Sequence, residues 1–323
     1  MPRIAVDAMG SDRGPEEIIA GALEARADGI EPILFGDASI DPHGLELRAT
    51  SSVIEMDEKP AEAVRSKPES SLVASVRAVA EGKADAVVSA GNTGAMLAAG
   101  LLVLRRIPGV IRPAIAVPIP GRRGPSVLLD CGANADARPE HLLQFAAMGS
   151  VFAQEILGVP NPEVRLLSIG EEPEKGNQLT LEAHELLAAS DFNFKGNTEG
   201  RDILAGASDV VVTDGFTGNV TLKLLEGTIL TLLDTLRSEI TATTRGKIGG
   251  LLIRPAARRL RHRLDPDTFG GAYLLGLRGL VVIAHGNSSR TAIANAIRLA
   301  ARGVENDVVG RLAARLPQRT EVV

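Results

Sequence analysis

Short apolar runs, often β-branched, alternate along the chain with longer stretches whose apolar positions recur every three to four residues. The first habit belongs to buried strands and the second to helices with one buried face. This alternation predicts strands at 3–7, 31–35, 85–90, 164–169, 209–214 and 280–284. It predicts helices from residue 15 onward and at 69–80, 95–105, 141–157, 179–189, 219–239 and 290–301. Pro15 suits a first helical position, where its missing N–H has no helical partner to lose. Strand-then-helix repetition implies a mostly parallel sheet in a layered α/β/α fold. The runs PAIAVPIP and SVLLD flank a turn-forming GRRG and predict an antiparallel insertion. The expected organisation is a single α/β unit over residues 1–303, with a protruding basic amphipathic segment at 240–265 and a tail at 304–323.

The chain has 323 residues and is 45% apolar, so a large core is feasible without disulfides or metals. A single cysteine, Cys131, excludes an internal disulfide and a zinc cluster of cysteines. The start, MPRIAVDAMG, lacks the basic-then-apolar layout of a secretory signal, which points to the cytoplasm. The longest apolar stretch, residues 95–104, is about half the ~20 residues a membrane span needs, so no such span is expected.

Charge changes the picture more. Lys and Arg number 35 against 40 Asp and Glu, a net −5. Residues 240–264 hold Arg245, Lys247, Arg254, Arg258, Arg259, Arg261 and Arg263 and no acid, so that window carries +7 and leaves −12 elsewhere. Aromatic residues make up 2% of the chain, too few for a platform that stacks bases, and no nucleic acid partner is expected. Leu251, Leu252, Ile253 and Leu260 interleave with Arg254, Arg258, Arg259, Arg261 and Arg263, and Pro255 reads as the start of a new helix. A basic amphipathic segment on an acidic protein suits an acidic protein partner or an anionic membrane surface.

No G-x-G-x-x-G, P-loop, H-E-x-x-H, C-x-x-C or G-x-S-x-G pattern occurs. What stands out is an internal similarity: DAVVSAGNTGA from Asp85 and DVVVTDGFTGN from Asp209 agree at Asp, Val, Val, Gly, Thr and Gly. Two readings are open. Tight strand-to-helix turns converge on Gly and Thr for conformational and capping reasons. Alternatively, Gly91, Asn92, Thr93 and Gly94, with Gly215, Thr217, Gly218 and Asn219, present backbone N–H groups that bind phosphate at helix starts. Two such turns could share one cleft at the carboxyl ends of the strands.

Other candidates sit at strand ends. Lys175, in GEEPEKGN, is placed to offset phosphate charge. Asp214 either faces the cleft or caps the next helix. Lys223 shares a helix face with Asn219. His285, after LVVIA and before GNSS, is the best acid/base candidate among the histidines. Cys131 reads as a small packing residue.

The ordered set DAMGSDRGPEE, SAGNTGA, DCGAN, GEEPEKGN, GNTEGRDIL, SDVVVTDGFTGNVTLKLLEG, GGAYLLG and HGNS resembles the phosphate acyltransferase (PlsX) family of phospholipid synthesis over roughly residues 3–302. Ser11 and Thr198 stand where the family usually has a second Gly and an aliphatic residue. The resemblance implies a fold like isocitrate dehydrogenase or phosphotransacetylase, and a homodimer. It implies transfer of a fatty acyl group from acyl carrier protein to inorganic phosphate, giving acyl phosphate, which a membrane acyltransferase then passes to glycerol 3-phosphate. It also implies a cytoplasmic enzyme associated peripherally with the membrane, adds Asn134 of DCGAN to the substrate-binding residues, and implies no metal, nucleotide or nicotinamide.

On this reading phosphate attacks the thioester directly, held by the two turns, with Lys175 offsetting charge and Asp214 and His285 orienting groups or moving a proton. The competing readings are a metal- and nicotinamide-dependent dehydrogenase of the related fold, and a non-catalytic scaffold on the membrane surface.

Overall fold

Successive strand residues point to opposite faces of a sheet, and this chain fills both faces with apolar side chains. Ile4 and Val6 enter one buried layer while Ala5, between them, enters the other; Val127 and Leu129 are divided from Leu128 in the same way. The computed structural model describes residues 1–316. In its first half the chain forms β1 (Arg3–Asp7), α1 (Pro15–Arg26), β2 (Glu31–Gly36), β3 (Glu46–Ala49), α2 (Pro60–Ser66), α3 (Ser71–Ala80), β4 (Ala86–Ser89) and α4 (Thr93–Ala99). Next come β5 (Ala114–Ile119), β6 (Ser126–Leu129), α5 (Pro139–Glu155), β7 (Val164–Leu167), α6 (Gln178–Ala188), β8 (Phe194–Thr198), α7 (Gly200–Ile203) and β9 (Val210–Val212). The chain continues through α8 (Gly215–Thr241), α9 (Thr244–Leu264), β10 (Ala272–Leu275), β11 (Leu280–Ile283), α10 (Arg290–Glu305) and α11 (Val308–Arg315).

The strands make one sheet in the order β3-β2-β1-β4-β11-β10-β5-β6-β9-β7-β8. The neighbours β11–β10, β10–β5 and β5–β6 are antiparallel and all others are parallel. The expected antiparallel insertion is therefore present as β5–β6, and β10 extends it. Counted outward from the β10–β5 pair, β11 matches β6, β4 matches β9, β1 matches β7 and β2 matches β8, so the sheet has two similar halves running in opposite directions. The two similar sequence segments occupy equivalent places, one spanning β4 and the turn after it, the other β9 and its turn.

Helices α1, α5, α6, α10 and α11 cover one face, through Ile18, Phe145, Leu187, Ile293 and Leu312. Helices α2, α3, α4, α7 and the start of α8 cover the other, through Val64, Leu72, Met96, Ile203 and Leu222. The second face is thinly covered over β5, and that gap holds the site.

Three expectations are corrected. Pro255 does not start a helix: it lies inside α9, which begins at Thr244 and is capped by Thr243, whose Oγ1 accepts the Gly246 N–H at 3.0 Å. The hydrogen bond that proline cannot make leaves the carbonyl of exposed Leu251 to water, so the helix continues. Residues 304–316, expected as tail, complete α10 and form α11, which buries Val308, Leu312 and Leu316 in the core. The remainder of that tail, 317–323, lies outside the described residues. Lastly, because the halves of the sheet run oppositely, their carboxyl ends face opposite edges, and the cleft runs over the sheet rather than along one edge.

Candidate active site

A cavity of about 710 Å³ follows β5 from Ile115 to Pro120 and is closed by α4 and α8. Both glycine turns reach it, through residues 91–94 on one side and Asn219 on the other, and His285 joins them from the end of β11. The two turns are built differently.

At the first turn, buried Asp7 ends β1 and accepts the Ser89 hydroxyl at 2.7 Å, while Ser89 Oγ accepts the Gly91 N–H at 3.0 Å. The chain is tight here: a Cβ on Gly10 would lie 2.7 Å from the Cα of Gly91, so only glycine fits. Asn92 caps α4 by accepting the Ala95 N–H at 3.0 Å, and its amide donates to the carbonyls of Met56 and Glu58. The N–H groups of Asn92, Thr93 and Gly94 have no protein acceptor among the described residues, and all three residues line the cavity. This is the geometry of an anion cradle.

Burial pushes the Asp7 carboxyl above the ordinary carboxylate value, against its hydrogen bonds from Ser89 and Met9. A folded pKa above the unfolded one makes stability fall as pH rises from the unfolded value, about 4, through the raised one. Asp7→Asn is expected to remove that fall. The stability of the variant relative to the parent should then climb with pH, read by urea unfolding from about pH 4 to about pH 8. A flat difference would show that folding leaves the Asp7 pKa where it is in the unfolded chain.

The second turn spends its N–H groups on itself. Asp214 caps α8 by accepting the Thr217 N–H at 2.9 Å, an arrangement worth about 1 kcal/mol. Gly215 N–H donates to the Asn134 carbonyl at 2.8 Å, and Gly218 N–H to the Asp214 carbonyl at 2.9 Å. Asn134 is itself occupied: its amide donates to the Pro113 carbonyl and to Asp130, each at 2.8 Å. Thus Asp214, Gly215, Thr217, Gly218 and Asn134 form the mount of α8, and the helix they aim delivers Asn219 and Lys223 to the cavity.

Lys223 Nζ lies 2.9 Å from Glu226 Oε2 and 2.9 Å from His285 Nε2. An ammonium only donates, so His285 accepts at Nε2 and keeps its own proton at Nδ1. From this polar end the cavity continues along an apolar wall that includes Leu97, Ile115, Val117, Ile119, Leu204, Leu222, Leu225 and Ile229. Cys131 also lines the cavity, but burial, with the nearby Asp130 carboxylate, pushes its thiol well up, which suits packing rather than nucleophilic attack.

Lys175 is not brought to this place. It sits on an exposed loop after β7, its carbonyl accepting the Ser168 hydroxyl at 3.0 Å. In the sheet β7 stands three strands from β5, about 14 Å at the usual spacing. Arg254, Arg258, Arg259 and Arg261 lie on exposed α9, whereas Arg263 donates to the carbonyls of Gly121 and Arg122 and ties the base of the helical hairpin to the body. Asp12, Glu226, Asp267 and Ser288 line the cavity without having been singled out from the sequence. Only Glu226 carried a local signal, being three residues from Lys223 on one helix face. Among the described residues no group of three His, Cys, Asp or Glu side chains is arranged to hold a metal ion.

Residues 2–311 match the family described as "Fatty acid synthesis protein". A phosphate acyltransferase of Heliobacterium modesticaldum is 46% identical over 333 residues, covering 99% of each chain. The solved branched-chain phosphotransacylase of Enterococcus faecalis V583 shares the fold, with a TM-score of 0.60 at 16% identity over 94% of this chain and 99% of that one. So does a 4-hydroxythreonine-4-phosphate dehydrogenase of Klebsiella pneumoniae, with a TM-score of 0.56 at 14% identity over 94% and 100%. The fold is thus common to transacylases and dehydrogenases, but the near full-length sequence match is to the former: this chain is an enzyme of the phosphate acyltransferase family.

Proposed function

We propose that this enzyme moves a fatty acyl group from the thioester of an acyl carrier protein to inorganic phosphate, releasing acyl phosphate and free carrier. The observation that carries this reading is one cavity in which three unpartnered amides and Lys223 stand at the head of a long apolar wall. A phosphate oxygen attacks the thioester carbonyl, the C–S bond breaks, and the thiolate takes a proton from water, while His285 orients Lys223. Phosphate is largely dianionic near neutral pH, and a thiol with a pKa of about 8.5 leaves readily, so little proton transfer is required. Holding the anion beside the carbonyl and stabilising the oxyanion supply most of the rate. Residues 91–94 cradle the phosphate or the oxyanion, and Asn219 and Lys223 face them. Lys223 takes the charge-offsetting task first assigned to Lys175, and Asp214 acts by holding α8.

The test is incubation with a long-chain acyl carrier thioester and phosphate. Hydroxylamine-trappable acyl phosphate should appear in equal amount to carrier thiol; thiol release without acyl phosphate would mean simple hydrolysis and would refute the reading. The dehydrogenase alternative predicts NAD(P) binding by spectral titration, and none is expected.

The working enzyme is read as a homodimer that docks peripherally on the membrane, where an acyltransferase uses acyl phosphate to acylate glycerol 3-phosphate. No helix among the described residues is long and apolar enough to cross a membrane. The α8–α9 hairpin instead exposes Leu251, Leu252 and Ile253 beside Arg254, Arg258, Arg259 and Arg261, and no residue of α9 is buried. This surface suits the acidic carrier and anionic lipid. Reversing Arg258, Arg259 and Arg261 to Glu should raise the carrier KM or release the protein from anionic vesicles, with salt mimicking the change. If neither measurement moves, the hairpin does not dock by charge.

A further inference from the structure

The loop after β6 has two sides. With Cys131 and Gly132 it lines the acyl-transfer cavity; with Asp136 and Arg138 it lines a second cavity of about 840 Å³ at the start of β5. Arg106, Arg112 and His141 complete the charged lining there, so three arginines and one acid, Asp136, line it, with the Arg106 guanidinium donating to the Ile111 carbonyl. None of the three is in an ion pair among the described residues. Positive charge in excess of its counter-charge favours an anion placed among the arginines.

The lining is held in place. Gln144 of α5 accepts the Ile111 N–H and donates to the Gly109 carbonyl, both at 2.8 Å. Asn134 donates to the Pro113 carbonyl at 2.8 Å, so the backbone carrying Arg112 is fixed on both sides. His141 is buried, and its Nδ1 accepts the Arg138 N–H at 3.1 Å. Nε2 therefore carries the proton of the neutral ring and serves as a donor. Burial, then the nearby Arg112 charge, push this imidazole below its ordinary pKa, which keeps it neutral near pH 7. The positive end of the 17-residue α5 begins at the same place.

We propose that this second cavity binds a small molecule bearing a phosphate or diphosphate group, with Arg112 and Arg138 gripping the oxygens and His141 Nε2–H donating to them. Planar guanidinium groups suit this task because they meet phosphoryl oxygens in pairs. The site is separate from the acyl-transfer cleft and does not depend on the function assigned to it.

The full-length protein carrying Lys223→Ala, which weakens anion binding in the cleft, is titrated calorimetrically with inorganic phosphate, inorganic diphosphate and adenosine diphosphate. One diphosphate per chain is expected, weakened at least about tenfold by adding Arg112→Ala and Arg138→Ala together. Arg138→Gln alone, a change at an exposed side chain, should weaken it in the same direction and guards against a folding defect in the double variant. Tighter binding of the nucleotide than of diphosphate would mark the ligand as a phosphate ester, and equal binding would mark the phosphoryl group alone. The proposal is overturned if no probe saturates, or if binding is indifferent to both arginine changes.

Discussion

Gly218→Ala should cost this protein about 3 kcal/mol or more of unfolding free energy, an effect large for the addition of one methyl group. A Cβ at Gly218 would stand 1.9 Å from the carbonyl oxygen of Asp130, and the obstacle is backbone rather than a side chain that can turn away. The carbonyl cannot retreat freely, because the Asp130 carboxylate accepts the N–H groups of Ile115 at 2.9 Å and Asn134 at 2.8 Å. The strain must therefore move the start of α8, a helix of 27 residues whose first turn aims Asn219 and Lys223. Urea unfolding gives the stability, and acyl-transfer assays on the folded fraction give the second consequence, a fall in kcat/KM. A variant as stable as the parent would mean that the contact between α8 and the loop after β6 is looser than it stands here.

Lys223→Ala should lower kcat/KM for acyl phosphate formation by about 10²–10³-fold, the usual loss when one stabilising group is removed from a transition-state oxyanion. Lys223 is a cation in the cavity with two polar neighbours to orient it, Glu226 and His285. Lys175→Ala is expected to cost far less, since Lys175 sits on an exposed loop outside the cavity lining. Assaying the two variants side by side, with phosphate and carrier varied separately, decides which lysine offsets the charge. Should Lys175→Ala prove the more damaging, the cavity described here would lack an essential group and the mechanism would have to be rebuilt around the β7 loop.

The legibility of this chain differs from element to element for physical reasons. The strands at Arg3–Asp7 and Leu280–Ile283 announce themselves as apolar runs because both faces of the sheet are buried. Strand β8, with the sequence FKGNT, gives no such signal: it sits at the edge, and its tertiary neighbour β7 makes it a strand. Helix α8 begins four residues before the expected start at 219, because Asp214 caps it through the Thr217 N–H rather than lining the cleft. The two open readings of the glycine turns each found a turn to fit. The first leaves three N–H groups free, whereas the second uses its own for capping and close packing.

The sequence alone determined the layered α/β class, the antiparallel insertion, the family, the paired turns and the basic amphipathic segment, because local periodicity, turn chemistry and charge are written in neighbouring residues. Tertiary structure decided which candidates share a cavity. His285, Lys223 and residues 91–94 converge because the two halves of the sheet run in opposite directions and send α4 and α8 over the same strand, β5. Strand order leaves Lys175 outside the cavity lining, and the apolar wall is assembled from side chains more than a hundred residues apart, as Leu97 and Ile229 are. Such convergence depends on long-range strand pairing, which no local pattern encodes.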